Sequence, residues 1–288
     1  MNYRYEDIRN FYFENEIGKR VNCQKLNGNL FLYNVSGLGF KKSNDYVRVG
    51  NTFIKNKEEI EQSTITGELE FYEMTYDEYR NFIDFILCAT SLKLIYVPKN
   101  TNRIEYYRDI DVIELEKNEE DDFNILTTPI TINCTSLWYK QNNIIYNVEN
   151  VEDELRWEFV WDPIFADYEH RSIIFSNSGH VEAPFLLEIG GYIENPKMEV
   201  IVNNKKIYEV TFNITLNENE KIVYSTKEND MYIKKINKDN TYENLFNLLD
   251  LNNINFFNLP KGTSEIKLEA NTDILNAKLT IYEQYITV

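Results

Sequence analysis

The sequence predicts a mainly β protein of two domains, the first with one α-helix beside its strands and the second a β-sandwich. Three observations carry the prediction. Aromatic residues make up 14% of the chain, with 21 Tyr and 17 Phe, and flat rings pack well on pleated surfaces. In segment after segment apolar residues alternate with polar ones, the period of two that a half-buried strand requires. At 288 residues the chain exceeds the roughly 100 to 200 residues of a typical domain, and a hydrophobic share of 43% is enough to fill two small cores.

In chain order, Phe11, Phe13, Leu30 and Leu32 fall on strands joined by a turn at Asn27-Gly28, a dipeptide that supplies the positive φ values of a tight hairpin. The segment Val35-Ser-Gly-Leu-Gly-Phe40 lacks the third glycine of a GxGxxG loop, with Lys42 in its place, so its glycines read as turn chemistry. Ile65, Gly67, Leu69 and Phe71 alternate with Thr66, Glu68, Glu70 and Tyr72, a strand with one wet face. Thr75-Tyr-Asp-Glu78 has the form of a capping box and starts a helix. On that helix Tyr79, Phe82, Ile83 and Ile86 make an apolar stripe, assigned to the core because a single helix beside many strands covers a sheet. Leu92 to Pro98, the set Ile104, Tyr106, Ile110 and Val112, and the set Ile130, Ile132 and Cys134 leading to Trp138 read as three strands. The acidic run at 119–122 lacks the alternating spacing and glycine of a calcium loop and reads as a solvated turn.

Residues 138–154 are polar and Asn-rich, which places the domain junction there: an N-terminal domain at 1–140, a linker at 141–152 and a C-terminal domain at 153–288. Leu155, Trp157, Phe159 and Trp161 alternate up to Asp162-Pro163 and read as core of one strand face, while Trp157 and Trp161 are also the candidate pair for stacking a sugar ring. The run around Leu186 opens at Pro184, where a strand tolerates a missing donor, and closes at Gly190-Gly191. After a turn at Asn195-Pro196, Met198, Val200 and Val202 share a face; after Asn203-Asn204, so do Tyr208, Val210, Phe212 and Ile214. Strands at 221–224 and 231–233 flank a hairpin loop at 227–230, residues 244–249 form a short helix, and a turn ending at Gly262 leads to strands around Ile266 and Leu268 and around Ala277, Leu279 and Ile281.

A net charge of -17 argues against nucleic acid held on a basic surface, since counterion release needs clustered Lys and Arg. It fits simple solubility, or an acidic wall past which a polyanion slides without sticking. Cys23, Cys88 and Cys134 are odd in number and far apart, so they read as buried thiols and not as a disulfide or metal framework. No export signal or run of about 20 apolar residues appears, and the expectation is a soluble chain. His170 and His180 lie near Ser172, Ser176, Ser178 and Glu182, but no GxSxG elbow or HExxH pair accompanies them. No catalytic, cofactor-binding or metal residue is assigned, and no enzyme activity is expected.

The order Gly37-Leu-Gly39, a strand, the helix from Thr75 to Leu87 and Leu92-Lys-Leu-Ile-Tyr96 resembles the N-terminal domain of the distal tail protein family of bacteriophages, also called the siphovirus tail component family. The second half is similar in Asn177-Ser-Gly179, Ala183-Pro-Phe-Leu-Leu-Glu-Ile-Gly190, Asn195-Pro196, Asn213-Ile-Thr-Leu216 and Phe256-Phe-Asn-Leu-Pro-Lys-Gly-Thr263. The acidic segment at 116–122 and the Asn-rich junction depart from that pattern. The resemblance implies a structural protein of the tail tip, in a phage or a tail-like bacteriocin, made in the bacterial cytoplasm. Its N-terminal domain would be a tail-tube-like β-sandwich with a flanking helix and form a homo-oligomeric, hexameric ring that continues the tail tube. Its C-terminal domain would be a lectin-like sandwich that meets the tail hub and peripheral baseplate or receptor-binding proteins. An acidic ring lumen would then let DNA pass without adhering. The alternative from another class is a carbohydrate-binding module for cell-wall sugars, using Trp157, Trp161 or exposed tyrosines.

Overall fold

The computed structural model describes residues 9–24, 28–72, 75–99, 101, 103–147, 164–165, 172–249, 254–271 and 276–288. The chain divides into two compact units, Met1–Lys140 with Tyr285–Val288, and Gln141–Gln284. Among the described residues no helix is long and apolar enough to cross a membrane.

The first unit is built from β1 (Asn10–Asn15), β2 (Arg20–Asn22), β3 (Leu30–Ser36), β4 (Lys42–Val49), β5 (Thr52–Ile60), β6 (Thr64–Phe71), α1 (Thr75–Leu87), β7 (Leu92–Val97), β8 (Tyr106–Leu115), β9 (Leu126–Cys134) and the start of β10 (Trp138–Asn147). Its main sheet runs β2-β1-β7-β8-β9-β6-β3, antiparallel throughout. Strand β8 pairs with β7 over Tyr106 to Ile110 and with β9 over Ile110 to Leu115, with a register shift between Val112 and Glu114. Such a shift bends and twists a strand, so the sheet curls around its core.

Alternation decides which side chains fill that core. Leu126, Ile130, Ile132 and Cys134 of β9, and Ile65, Leu69 and Phe71 of β6, are buried while their neighbours in sequence reach the outer face. Helix α1 lies against this inner face. Phe82 meets Phe13 at 5.3 Å and Phe71 at 6.1 Å between ring centroids, and Tyr79 meets Phe71 at 5.6 Å, all edge-to-face. Edge-to-face pairs add about 0.5–1.5 kcal/mol each beyond area burial. The inward stripe is Thr75, Tyr79, Phe82 and Phe85; Ile83 and Ile86, expected in the core, are only partly buried against it. Two further expectations change. The first hairpin joins β1 to β2 and turns at Gly18, which holds φ at +77°, whereas Phe11 and Phe13 do not pair with Leu30 and Leu32. Asn27 lies outside the described residues. Cys88, expected to be a buried thiol, is exposed just beyond α1, while Cys23 and Cys134 are buried.

Strands β4 and β5 pair only with each other and form a hairpin outside the curled sheet. Every residue of both strands is exposed.

The second unit continues with the rest of β10 and with β11 (Ile164–Phe165), β12 (Ser172–Asn177), β13 (Phe185–Gly190), β14 (Ile193–Glu194), β15 (Lys197–Val202), β16 (Lys205–Thr211), β17 (Thr215–Leu216), β18 (Lys221–Lys227), β19 (Asp230–Ile236), β20 (Tyr242–Asn244), β21 (Gly262–Glu269) and β22 (Asn276–Tyr285). One sheet has the order β22-β13-β18-β19-β20 and the other β12-β21-β15-β16. Phe185, Leu187, Ile189, Tyr224, Leu279 and Ile281 of the first sheet share one core with Phe175, Met198, Val200, Val210, Ile266 and Leu268 of the second. Two sheets joined by interdigitating inner faces make a sandwich. The β15–β16 turn has Asn203 and Asn204 at φ +51° and +61°, the two left-handed positions that a tight hairpin needs. A register shift after Val200 takes Val202 out of the buried face it was expected to share with Met198 and Val200. The expected helix at 244–249 is a single 3₁₀ turn, Phe246–Leu248. The strand expected at 155–161 lies outside the described residues.

Candidate assembly surfaces

No sequence-predicted polar cluster forms a catalytic geometry that the structure describes. Ser178 donates its hydroxyl hydrogen to the Glu283 carboxylate at 2.7 Å, and the His180 backbone N–H donates to the Gln284 carbonyl at 2.7 Å. His170, Trp157 and Trp161 lie outside the described residues. In the acidic run, Asp121 Oδ1 accepts from the Phe123 and Ile125 amides, both at 2.9 Å, and Glu119 accepts from the Tyr76 hydroxyl of α1 at 2.9 Å. These carboxylates organise a turn, as their spacing indicated. Among the described residues no group of three His, Cys, Asp or Glu could hold a metal ion.

Two surfaces of the first unit stand out instead. One is the outer face of β3, β6 and β9. The alternation that buries Ile65, Leu69 and Phe71 turns Thr64, Thr66, Glu68 and Glu70 outward, and the same rule on β9 turns out Thr127, Pro129, Thr131 and Asn133. The register sets Glu68 between Pro129 and Tyr33, and Glu70 between Thr127 and Phe31. Glu114 of β8 lies across from Thr131. None of β3, β6 and β9 contains a Lys or Arg. The Tyr33 hydroxyl, 2.6 Å from Glu68 Oε2, and the Asn34 amide, 3.1 Å from Oε1, hold the Glu68 carboxyl below the usual carboxylate range. Burial, and then the bonded Glu70 carboxylate, push the Tyr72 hydroxyl up. The face is therefore anionic, rich in hydroxyls and without cations.

The other surface is the β4–β5 hairpin. It exposes Tyr46, Val47, Val49, Phe53 and Ile54, and its base is tied by Lys42 and Lys55 to Glu58 and by Lys57 to Glu59. Residue patterning does not announce it, because a strand pair with no buried face shows no core-facing alternation.

The model of the N-terminal domain of distal tail proteins matches residues 10–135. A distal tail protein of Lactococcus phage SK1 is 27% identical over 127 residues, which is 43% of this chain and 43% of that protein. A chain of the phage P2 baseplate, solved in its activated conformation with calcium, superposes with a TM-score of 0.67 at 17% identity, covering 98% of this chain and 100% of the other. The distal tail protein of phage SPP1, described as a paradigm of the hub adsorption apparatus in phages that infect Gram-positive bacteria, superposes with a TM-score of 0.58 at 9% identity over 95% of this chain and 98% of that one.

Proposed function

We propose that this chain, whose residues 10–135 belong to the distal tail protein family, is a structural component of the distal tail and baseplate of a phage or phage tail-like particle. Its first unit forms a homo-oligomeric ring, six copies around, that continues the tail tube into the hub. Its second unit offers a sandwich surface to peripheral baseplate or receptor-binding proteins. The observation that carries the reading is the family match over nearly all of the first unit, supported by a likeness of fold, along 98% of the chain, to a chain of a phage baseplate. The carbohydrate-binding alternative is not favoured, because the relatives found are tail and baseplate proteins.

The outer face of β3, β6 and β9 gives the ring a lumen of the right chemistry. A wall of Glu68, Glu70 and Glu114 among Thr hydroxyls, with no Lys or Arg on those three strands, repels a polyanion instead of binding it. Native mass spectrometry and negative-stain microscopy of the purified chain test the ring: six copies with six-fold symmetry support it, and a monomer at every concentration contradicts it. A reconstruction in which this face points away from the channel removes the lumen assignment.

A further inference from the structure

We propose that Arg108 holds a small monovalent anion, a halide, inside the first unit. Strand β8 alternates: Arg108 pairs with Leu94 and shares the core side with Ile110, while Asp109 turns to the other face. Arg108 is thereby a cation in the core, 4% exposed, and its Nη1 is closed off from solvent. A buried charge is tolerated when it is paired, and a buried N–H when it meets an acceptor. Among the described residues Arg108 finds no charged partner and only part of its acceptors.

Its Nε donates to the Ser136 carbonyl at 2.9 Å and its Nη2 to the Ser63 hydroxyl, both neutral acceptors. The Trp138 ring centre lies 5.2 Å from Cζ, and the ring is fixed by its own Nε1–H, which donates to the Leu38 carbonyl at 3.1 Å. A ring face attracts a cation but offers no lone pair to an N–H. Nη1 has no hydrogen-bond partner among the described residues. The acids nearest in sequence are engaged elsewhere, Glu105 with Arg20 at 2.9 Å and Asp109 with the Tyr139 hydroxyl at 2.8 Å. Cys134 supplies no counter-charge at neutral pH, because burial pushes its thiol up and outweighs Arg108 and the Ser63 hydroxyl, which lower it.

Charge and donor number select the ligand. Water satisfies Nη1 but leaves the guanidinium charge unbalanced in a poorly solvated surrounding. A sulfate or phosphate needs several donors to replace its hydration, and Arg108 has one nitrogen to give. A halide carries a single charge and accepts from any direction, so one free nitrogen beside an aromatic face suits it. The ion completes a centre that already joins Ser63, just before β6, Arg108 of β8 and Ser136, between β9 and β10. Because it binds only where these segments meet, its occupancy stabilises the folded first unit.

The experiment uses the purified full-length chain. Denaturant unfolding is followed at fixed ionic strength as chloride replaces bulky gluconate, which keeps the screening of the -17 charge constant. Above the Kd, a tenfold rise in chloride should raise the folding equilibrium constant of the first unit about tenfold, and Arg108→Met should remove the dependence. Crystals of the wild-type chain grown in bromide should show an anomalous peak at hydrogen-bond distance from Arg108 Nη1; this readout does not depend on the variant folding. Density there without anomalous signal, as an ordered water gives, overturns the site. So does a stability that is the same in chloride and gluconate, or a chloride dependence that survives in Arg108→Met.

Discussion

A Cβ atom placed on Gly37 would stand 2.0 Å from the carbonyl oxygen of Thr64. Gly37 also holds φ at +85°, in the left-handed region that side chains other than glycine's disfavour. The first glycine of Val35-Ser-Gly-Leu-Gly-Phe40 thus lets the chain leaving β3 pass against the backbone of β6. Gly39, two residues on, has open space around it. Gly37→Ala should therefore destabilise the chain by about 2 kcal/mol or more, as backbone strain adds to the clash, and Gly39→Ala should stay within about 0.5 kcal/mol. Denaturant unfolding of the two variants side by side checks the contrast.

Phe82 joins α1 to the sheet through its contacts with Phe13 and Phe71, and is 3% exposed. Phe82→Ala should cost about 3–5 kcal/mol, the range for emptying an aromatic site in a core. Leu87, at the end of the same helix, is 77% exposed, and Leu87→Ala should change stability by less than about 0.5 kcal/mol. Thermal unfolding that shows equal losses would mean that the helix does not pack as described.

Arg108 is a guanidinium inside the first unit, 4% exposed, with its Cζ 5.2 Å from the centre of the Trp138 ring. Its Nε donates to the Ser136 carbonyl at 2.9 Å and its Nη2 to the Ser63 hydroxyl, while Nη1 has no hydrogen-bond partner among the described residues. Burial lowers its pKa, as it must for a cation in a poorly solvated site. Arg108→Met keeps the stack on Trp138 and removes a desolvated charge, so it should cost less than Arg108→Ala, which empties the site by about 2–4 kcal/mol. Chemical denaturation midpoints for the pair settle the order.

Glu58 ties the base of the β4–β5 hairpin to Lys42 and Lys55, and their hydrogen bonds and charges bring its carboxyl down to about 2 from the ordinary 4.5. A depressed folded-state pKa means that the pairing contributes above pH 4.5 and is lost as pH falls towards 2. Acidification should therefore loosen the hairpin base in that window, and Glu58→Gln should remove the dependence. A carboxyl-detected NMR titration of Glu58 should show a midpoint near 2; a midpoint near 4.5 would mean that the lysines do not hold it.

Where one strand face is buried, the residues announced it. Ile65, Leu69 and Phe71, and Phe185, Leu187 and Ile189, alternate because each strand has a core side and an outer side. The helix at Thr75 was readable from its polar start and periodic apolar residues, but not its rotation: Phe85 and Ile86 are adjacent and equally apolar, and only packing against the sheet decides that Phe85 goes in. Strand partners were less readable, because Asn27-Gly28 and Gly18 are both good turns and the choice between them depends on β7 pairing with β1. The β4–β5 hairpin was invisible, since no burial among the described residues patterns it. The assembly surfaces share that property: a cation-free sheet face emerges only when β3, β6 and β9 are set side by side.

The proposed place of this chain is the distal end of a tail. Immunogold electron microscopy of particles released from a producing bacterium, with an antibody raised against the purified chain, tests it most directly. Label is expected only at the tail end farthest from the capsid, or at one end of a headless tail-like particle. Label along the shaft or on the capsid, or particles with no label while the protein stays free in solution, would contradict it.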